Sequence, residues 1–305
     1  MRTGFISALC AYFCLLPSPL LCWQPQPPAA AFLLDETPAP VIGTAETSPV
    51  EEGDTLTRIA RAKGLGYNGL VRANPGIDPW LPEPGLPLLL PYTGIIPGPL
   101  TPGITVNLAE MRLYHLWREN GRLRARIYPV GIGISGRETP EGVFTISNRV
   151  EKPTWIVPPA IGLERPELPR TVPPGPENPL GDFWLGLSQT GYGIHGTSEP
   201  FGVGRRVSYG CLRLYPEDIR DLFERVEVGT PVRIVYQPVK VGLKAGALFV
   251  EIHHDYSHRL PDPVADVSRQ IGELGWQGGI DWKAIKEEIE TARGVPRIVS
   301  QKALE

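Results

Sequence analysis

The sequence lacks a basic excess: 30 Lys and Arg stand against 33 Asp and Glu, a net charge of −3. That excludes a general nucleic-acid binder, which carries a strong positive balance, and leaves substrate charge open. It also lacks an apolar run long enough to cross a bilayer as a helix, which needs roughly 20 residues. No internal repeat is present. Cysteine is scarce: there are four in the chain, and Cys10, Cys14 and Cys22 crowd into its start. If that start is removed, Cys211 has no internal partner. A lone thiol in an oxidising compartment is either buried and inert or used for chemistry.

What is there describes an ordinary globular chain of 305 residues, 42% hydrophobic and 21% charged. That length supports one or two domains with a real core. Its 35 prolines and 34 glycines favour turns and extended segments over a helical bundle. Arg2 precedes an apolar stretch, Gly4 to Leu16, which Pro17 and Pro19 interrupt. Ala29-Ala30-Ala31 offers a cleavage site, so residues 1–31 read as an export signal. The competing reading is an uncleaved anchor. Bulky Leu21 before Cys22 disfavours a lipoprotein signal. A protein exported in this way is expected to act outside the cytoplasm.

Residues 32–48, rich in Pro, Thr and Ala, are expected to be a linker. From 49 to 93 the pattern is strand, helix, helix, strand. Asp54 is a good N-cap for a helix carrying Leu56, Ile59 and Ala60, and Gly64 can stop it. A second helix covers Asn68 to Ala73, and Leu88 to Leu90 form a strand between prolines. Gly53-Asp54-Thr55-Leu56, Ile59-Ala60, Asn74-Pro75 and Leu89-Leu90-Pro91 make this segment resemble a LysM module. The resemblance implies binding of the N-acetylglucosamine-containing glycan of peptidoglycan. A small structural domain without a ligand is the alternative.

Residues 94–103 are expected to be a second linker. The stretch 104–237 is mainly β, with strands expected at 104–108, 111–117, 124–132, 143–148, 183–187, 192–195 and 232–236. A sandwich or open barrel is the simplest architecture. Residues 151–181 are proline-rich, irregular and too long for a plain connection, as lids and substrate walls often are. Pro216 to Val226 reads as helix, with Ile219, Leu222 and Phe223 on one face. In the extension 238–305 a helix over Asp281 to Arg293 is expected to be solvated and without a catalytic role.

Two motifs carry chemistry: Gly193-Ile194-His195-Gly196-Thr197 and Ser208-Tyr209-Gly210-Cys211-Leu212-Arg213. Thiol acyl transfer needs a base to take the thiol proton and return it to a leaving amine, and histidine does both. It also needs backbone N–H donors for the oxyanion. Glycine before the cysteine permits the backbone conformations that aim them. Arg213, two residues beyond Cys211 on an extended segment, shares its face and can hold a carboxylate or pair with a structural acid. Taken alone, His195 can equally be an ordinary hydrogen-bonded histidine. His253, His254 and His258 form no metal-ligand pattern with acid or cysteine partners, so no metal or other cofactor is expected.

Together, His195-Gly196-Thr197 and Ser208-x-Gly210-Cys211-Leu212-Arg213 resemble the signature of the L,D-transpeptidase family, the YkuD-type catalytic domain. Thr139-Pro140-Glu141-Gly142 and Asn178-Pro179-Leu180-Gly181 add to the match. Tyr209 departs from it, since many members have His, Ser or Asn there. The layout is similar to periplasmic enzymes that attach Braun-type lipoprotein to peptidoglycan. The resemblance implies a β-sandwich catalytic domain in which Cys211 attacks the diaminopimelate carbonyl of a donor tetrapeptide and expels D-alanine. An amine then resolves the thioester. The amine is a lipoprotein lysine or a second diaminopimelate, and water in its place gives a carboxypeptidase or amidase. In this picture His195 is base then acid, the Gly196 carbonyl orients it, and the Gly210 and Cys211 N–H groups are oxyanion candidates. Ser208, Arg213, Thr197, Arg206 and Tyr209 support the loop or the substrate. A non-catalytic glycan-binding protein is the reading of another class.

Overall fold

The computed structural model describes residues 31–34 and 37–300. Cys10, Cys14, Cys22 and all of the expected signal segment except Ala31 lie outside the described residues. Nine strands form one mixed sheet, in the order Ala31–Leu33, Arg122–Pro129, Arg112–Glu119, Gly103–Asn107, Pro231–Val235, Gly142–Glu151, Phe183–Leu187, Gly193–His195 and Leu212–Arg213. Two neighbours are parallel: Pro231–Val235 beside Gly103–Asn107, and Leu212–Arg213 beside Gly193–His195. The sheet curls until its far end returns. Gly131, just past Arg122–Pro129, exchanges backbone hydrogen bonds with Arg213 at 2.8 and 2.9 Å.

Inward residues from successive strands then build one core. Val106, Leu113, Tyr128, Ile146, Leu185, Ile194 and Ile234 are all buried in it. The helix Pro216–Arg225 closes onto this core through Ile219 and Leu222. Its Pro216 sits where a missing N–H costs nothing, and Glu217 lies in the first turn, where the helix dipole favours a carboxylate. The mainly β expectation matches this architecture.

The 49–93 segment folds as expected. Strands Glu46–Pro49 and Pro87–Leu90 pair antiparallel beside helices Leu56–Ala62 and Tyr67–Ala73. The cap differs from the expectation. Thr55, not Asp54, accepts the Arg58 N–H at 3.2 Å, while the Asp54 carboxylate accepts from Glu51 N–H at 3.0 Å and closes the preceding turn.

Both expected linkers are built into the fold instead. Phe32 pairs with Ala125, and Val41–Ile42 pairs with Gly94–Ile95. Ile42, Ile95 and Ile96 are buried. Short apolar pairs inside proline-rich composition, each too brief to read as a strand, cause the difference.

The 151–181 stretch is also more regular than expected. Strands Trp155–Ile156 and Thr171–Val172 pair around the helix Pro159–Glu164, forming a flap. Buried Asn178 ties its base. Its amide nitrogen lies 2.8 Å from the Pro153 carbonyl and 3.2 Å from those of Val172 and Pro173.

The extension has its own core. The hairpin Val239–Lys244 and Ala247–Ile252 carries helices Pro263–Glu273 and Trp282–Thr291. The latter helix is not solvated on all sides: it buries Ala284, Ile285 and Glu288, because its apolar face meets the hairpin.

A buried ionic cluster joins the three parts. Lys240 Nζ lies 2.8 Å from Glu110 and 3.0 Å from Glu251, and donates to the Ile95 carbonyl at 2.7 Å. Arg112 donates to the Pro91 and Thr93 carbonyls at 2.9 and 3.1 Å and reaches Glu251 at 3.3 Å. Burial pushes the Glu251 carboxyl up, but Lys240, His253 and Arg112 outweigh it and hold the group below the usual carboxylate range. Folding adds distant Glu110 to Glu251, two residues before His253: the three converge within 4.8 Å. The cation among them is the Lys240 ammonium.

Candidate active site

The strand Gly193–His195 lies between Phe183–Leu187, with Trp184 opposite His195, and Leu212–Arg213, with Arg213 opposite His195. Side chains alternate between faces. Ile194 and Leu212 therefore enter the core, at 0% and 1% exposure. His195 and Arg213 face the other way, and Cys211, just before the second strand, lines the same cleft with them. Cys211 and His195 are diagonal neighbours on this face, a spacing that long or aromatic side chains span.

This face is one wall of a cleft of about 440 Å³ lined by His195, Cys211, Arg213, Ser208, Tyr209 and Trp184. The opposite wall is the flap, through Thr154, Trp155, Ile156, Pro158 and Ile161.

His195 is buried, and its Nδ1 lies 2.7 Å from the Gly196 carbonyl. A carbonyl oxygen only accepts, so Nδ1 carries the hydrogen and the Nε2 lone pair is left for a substrate proton. The Trp184 indole stacks on the imidazole, ring centres 5.7 Å apart. Its Nε1 is anchored to Asn148 Oδ1 at 3.1 Å. Burial, and then the Arg213 charge, lower the His195 pKa to about 3 against the pull of the Gly196 and Leu180 carbonyls. The ring is neutral at pH 7.

The Cys211 thiol sits 3.7 Å from the Gly191 carbonyl. Burial raises its pKa, opposed by the Gly193 N–H and by Arg213. The resting pair is thus thiol and neutral imidazole, the arrangement that needs general-base help rather than a preformed ion pair.

The nucleophile loop is held from inside. Ser208 Oγ donates to the Cys211 carbonyl at 2.5 Å and accepts the Gly210 N–H at 3.1 Å. This corrects the expectation for Gly210, whose N–H serves the loop and is not free for an oxyanion. Its glycine is nonetheless required. At φ +105° a Cβ would lie 2.6 Å from the Tyr192 ring and 3.1 Å from the Glu138 carbonyl. The Cys211 N–H has no hydrogen-bond partner among the described residues.

The remaining expected residues divide. Arg213 lines the cleft, its buried Nε without a hydrogen-bond partner among the described residues and Glu199 at 3.8 Å. Tyr209 spans the mouth, its hydroxyl donating to Glu164 of the flap at 2.9 Å. Thr197 does not line the cleft; its Oγ1 accepts the Glu199 N–H at 2.9 Å. Arg206 is turned away from it, stacked over Tyr256 at 4.6 Å. One residue on a strand is enough to reverse the face, and Arg206 and Arg213 fall on different strands. The sequence reading missed Trp184, Asn148 and the Gly193 N–H. Trp184 was accessible, because it alternates with the core residues Phe183 and Leu185 in a strand already recognised.

The L,D-transpeptidase catalytic domain model matches residues 101–234, and the LysM domain model matches residues 50–91. The chain is 36% identical over 267 residues to "Probable L,D-transpeptidase YcfS" of Escherichia coli (strain K12), covering 85% of this chain and 80% of that one. It is 34% identical over 271 residues to "Probable L,D-transpeptidase YbiS" of the same strain, covering 84% and 87%. Among solved structures, the catalytic domain from E. faecium L,D-transpeptidase is matched at 26% identity over 45% of this chain and 99% of that one, with a TM-score of 0.35.

Proposed function

The chain belongs to the L,D-transpeptidase family, and from that premise we propose that Cys211 carries the acyl group and His195 moves the protons. The support is the single cleft wall that presents both residues, His195 from one strand and Cys211 from just before the adjacent one, with Nδ1 of the imidazole fixed on the Gly196 carbonyl.

The reaction acts on peptidoglycan. His195 Nε2 takes the Cys211 proton as sulfur attacks the carbonyl that links diaminopimelate to terminal D-alanine. The oxyanion forms against the Cys211 N–H. Collapse breaks the C–N bond, His195 returns the proton to the departing D-alanine amine, and a thioester remains. The Arg213 guanidinium, with an unused donor, holds a stem carboxylate. An acceptor amine then gives its proton to His195, attacks the thioester and releases the thiol. A lipoprotein lysine is the acceptor of this reading. The LysM domain holds glycan beside the reaction, and the site of action is outside the cytoplasm, in the periplasm.

The test is incubation of the purified chain with tetrapeptide muropeptides, with and without a lysine-ended lipoprotein peptide, followed by mass spectrometry. Loss of D-alanine with a new peptide adduct is expected, and Cys211→Ala and His195→Ala should each remove most of it. Adducts only between two stems would make diaminopimelate the acceptor. Stems shortened without any adduct would make it water. An unchanged tetrapeptide with folded protein would refute the assignment.

A further inference from the structure

The cleft described so far is not the largest. A second, of about 500 Å³, opens between the LysM domain and the catalytic sheet. Its walls include Leu65 and Tyr92 on one side and Met111, Ile127 and Asp218 on the other. The two sides are locked together. Arg61 makes a two-pronged ion pair with Glu217, and the Tyr215 hydroxyl donates to the Leu65 carbonyl at 2.9 Å. Tyr67 and Asn68 N–H groups donate to the Val203 and Gly204 carbonyls at 3.3 and 3.2 Å. At Gly204, with φ +77°, a Cβ would lie 2.4 Å from the Gly66 backbone, so the two segments touch. The space between them is therefore preformed, at a domain boundary, with mostly apolar walls, as small-ligand sites usually are.

One polar group in it is unexplained by the fold. Asp218 is 5% exposed, and its Oδ2 has no hydrogen-bond partner among the described residues. Burial, followed by the neighbouring Glu217, pushes this carboxyl well above its ordinary range despite Arg61. Burial thus favours its protonated form, which carries an O–H to donate. The other charges around it are balanced: Glu217 is paired with Arg61, Glu110 and Arg112 belong to the ionic cluster, and Glu46 and Lys63 offset each other, so no excess of one sign selects an ion. What fits is a neutral molecule with an apolar face and a carbonyl acceptor.

We propose that this cleft binds an N-acetylated sugar unit, with Asp218 donating to the acetamido carbonyl and Tyr92 lying against the sugar ring. The choice of sugar rests on the reading that the chain works on peptidoglycan. The site is separate from the exposed Trp80 and Leu81 of the LysM domain. It also lies close to the chemistry. Ile219, the residue after Asp218, packs against Gly196, the residue whose carbonyl holds His195.

The experiment is calorimetric titration of the whole chain with the soluble N-acetylglucosamine tetramer. Asp218→Leu and Tyr92→Ala should each weaken binding by about three- to tenfold, the change expected for one lost contact. Asp218→Asn, which keeps a neutral donor, should stay within about twofold of the parent. Trp80→Ala should bind like the parent. Full-strength binding by both Asp218→Leu and Tyr92→Ala, loss of binding in Trp80→Ala, or no binding by the parent overturns the proposal. If Asp218→Leu does not fold, Tyr92→Ala decides. Acylation of Cys211 by a carbapenem is followed in the same samples. Failed sugar binding with intact acylation removes the cleft proposal alone, whereas failed acylation of the parent counts against the catalytic reading.

Discussion

The buried His195 makes acid stability a direct test of the site. Its pKa is lowered to about 3 by burial and by Arg213, against an ordinary 6.5. A histidine whose folded pKa is depressed stabilises the fold fully above its unfolded pKa, and that contribution is lost as pH falls toward the folded value. At pH 4 the unfolded chain is protonated there and the folded chain is not. The loss between pH 8 and pH 4 is about 3 kcal/mol from this residue alone. His115, lowered to about 4 by burial and then by Arg225, adds a similar loss at its own position. His195→Gln removes only the first contribution, because glutamine cannot charge. Thermal melts of parent and variant at pH 8 and pH 4 separate the two. The drop in Tm should be smaller in the variant by on the order of 6–12 °C, converting at about 2–4 °C per kcal/mol. Equal drops would mean that the imidazole titrates normally, and the argument for a buried neutral base would be wrong.

Gly210→Ala should cost about 2–5 kcal/mol, combining a left-handed backbone with overlap on Tyr192. Acylation of Cys211 should slow with it, and a variant with parental melting and acylation rate would contradict the loop geometry. Lys240→Met should destabilise the chain by about 3–5 kcal/mol, read by urea unfolding, because Glu110 and Glu251 stay buried without their ammonium. A change below about 1 kcal/mol would show that the junction is not held by this cluster.

The catalytic pair was readable in the sequence because its signal is local. His195 and Cys211 sit in short glycine-flanked motifs, and Arg213 follows from a two-residue alternation. Strands such as Phe183–Leu187 were equally plain, being apolar runs between turns. What stayed hidden depends on distant parts of the chain. Ala31–Leu33 is a strand only because Arg122–Pro129 offers an edge. The hairpin Val239–Ile252 joins a core completed by the later helices Pro263–Glu273 and Trp282–Thr291. Gly210 was recognised as necessary, but the use of its N–H was not, since nothing in the sequence says that Ser208 Oγ turns inward. Arg206 looked like a site residue until its strand turned it toward Tyr256.

Everything turns on whether the sulfur of Cys211 accepts an acyl group. The direct measurement is intact and peptide-level mass spectrometry after exposure of the folded chain to a carbapenem. One covalent adduct on the peptide bearing Cys211 is expected, strongly slowed in His195→Ala. Unmodified protein after prolonged exposure, or an adduct that forms equally well without His195, would contradict the account.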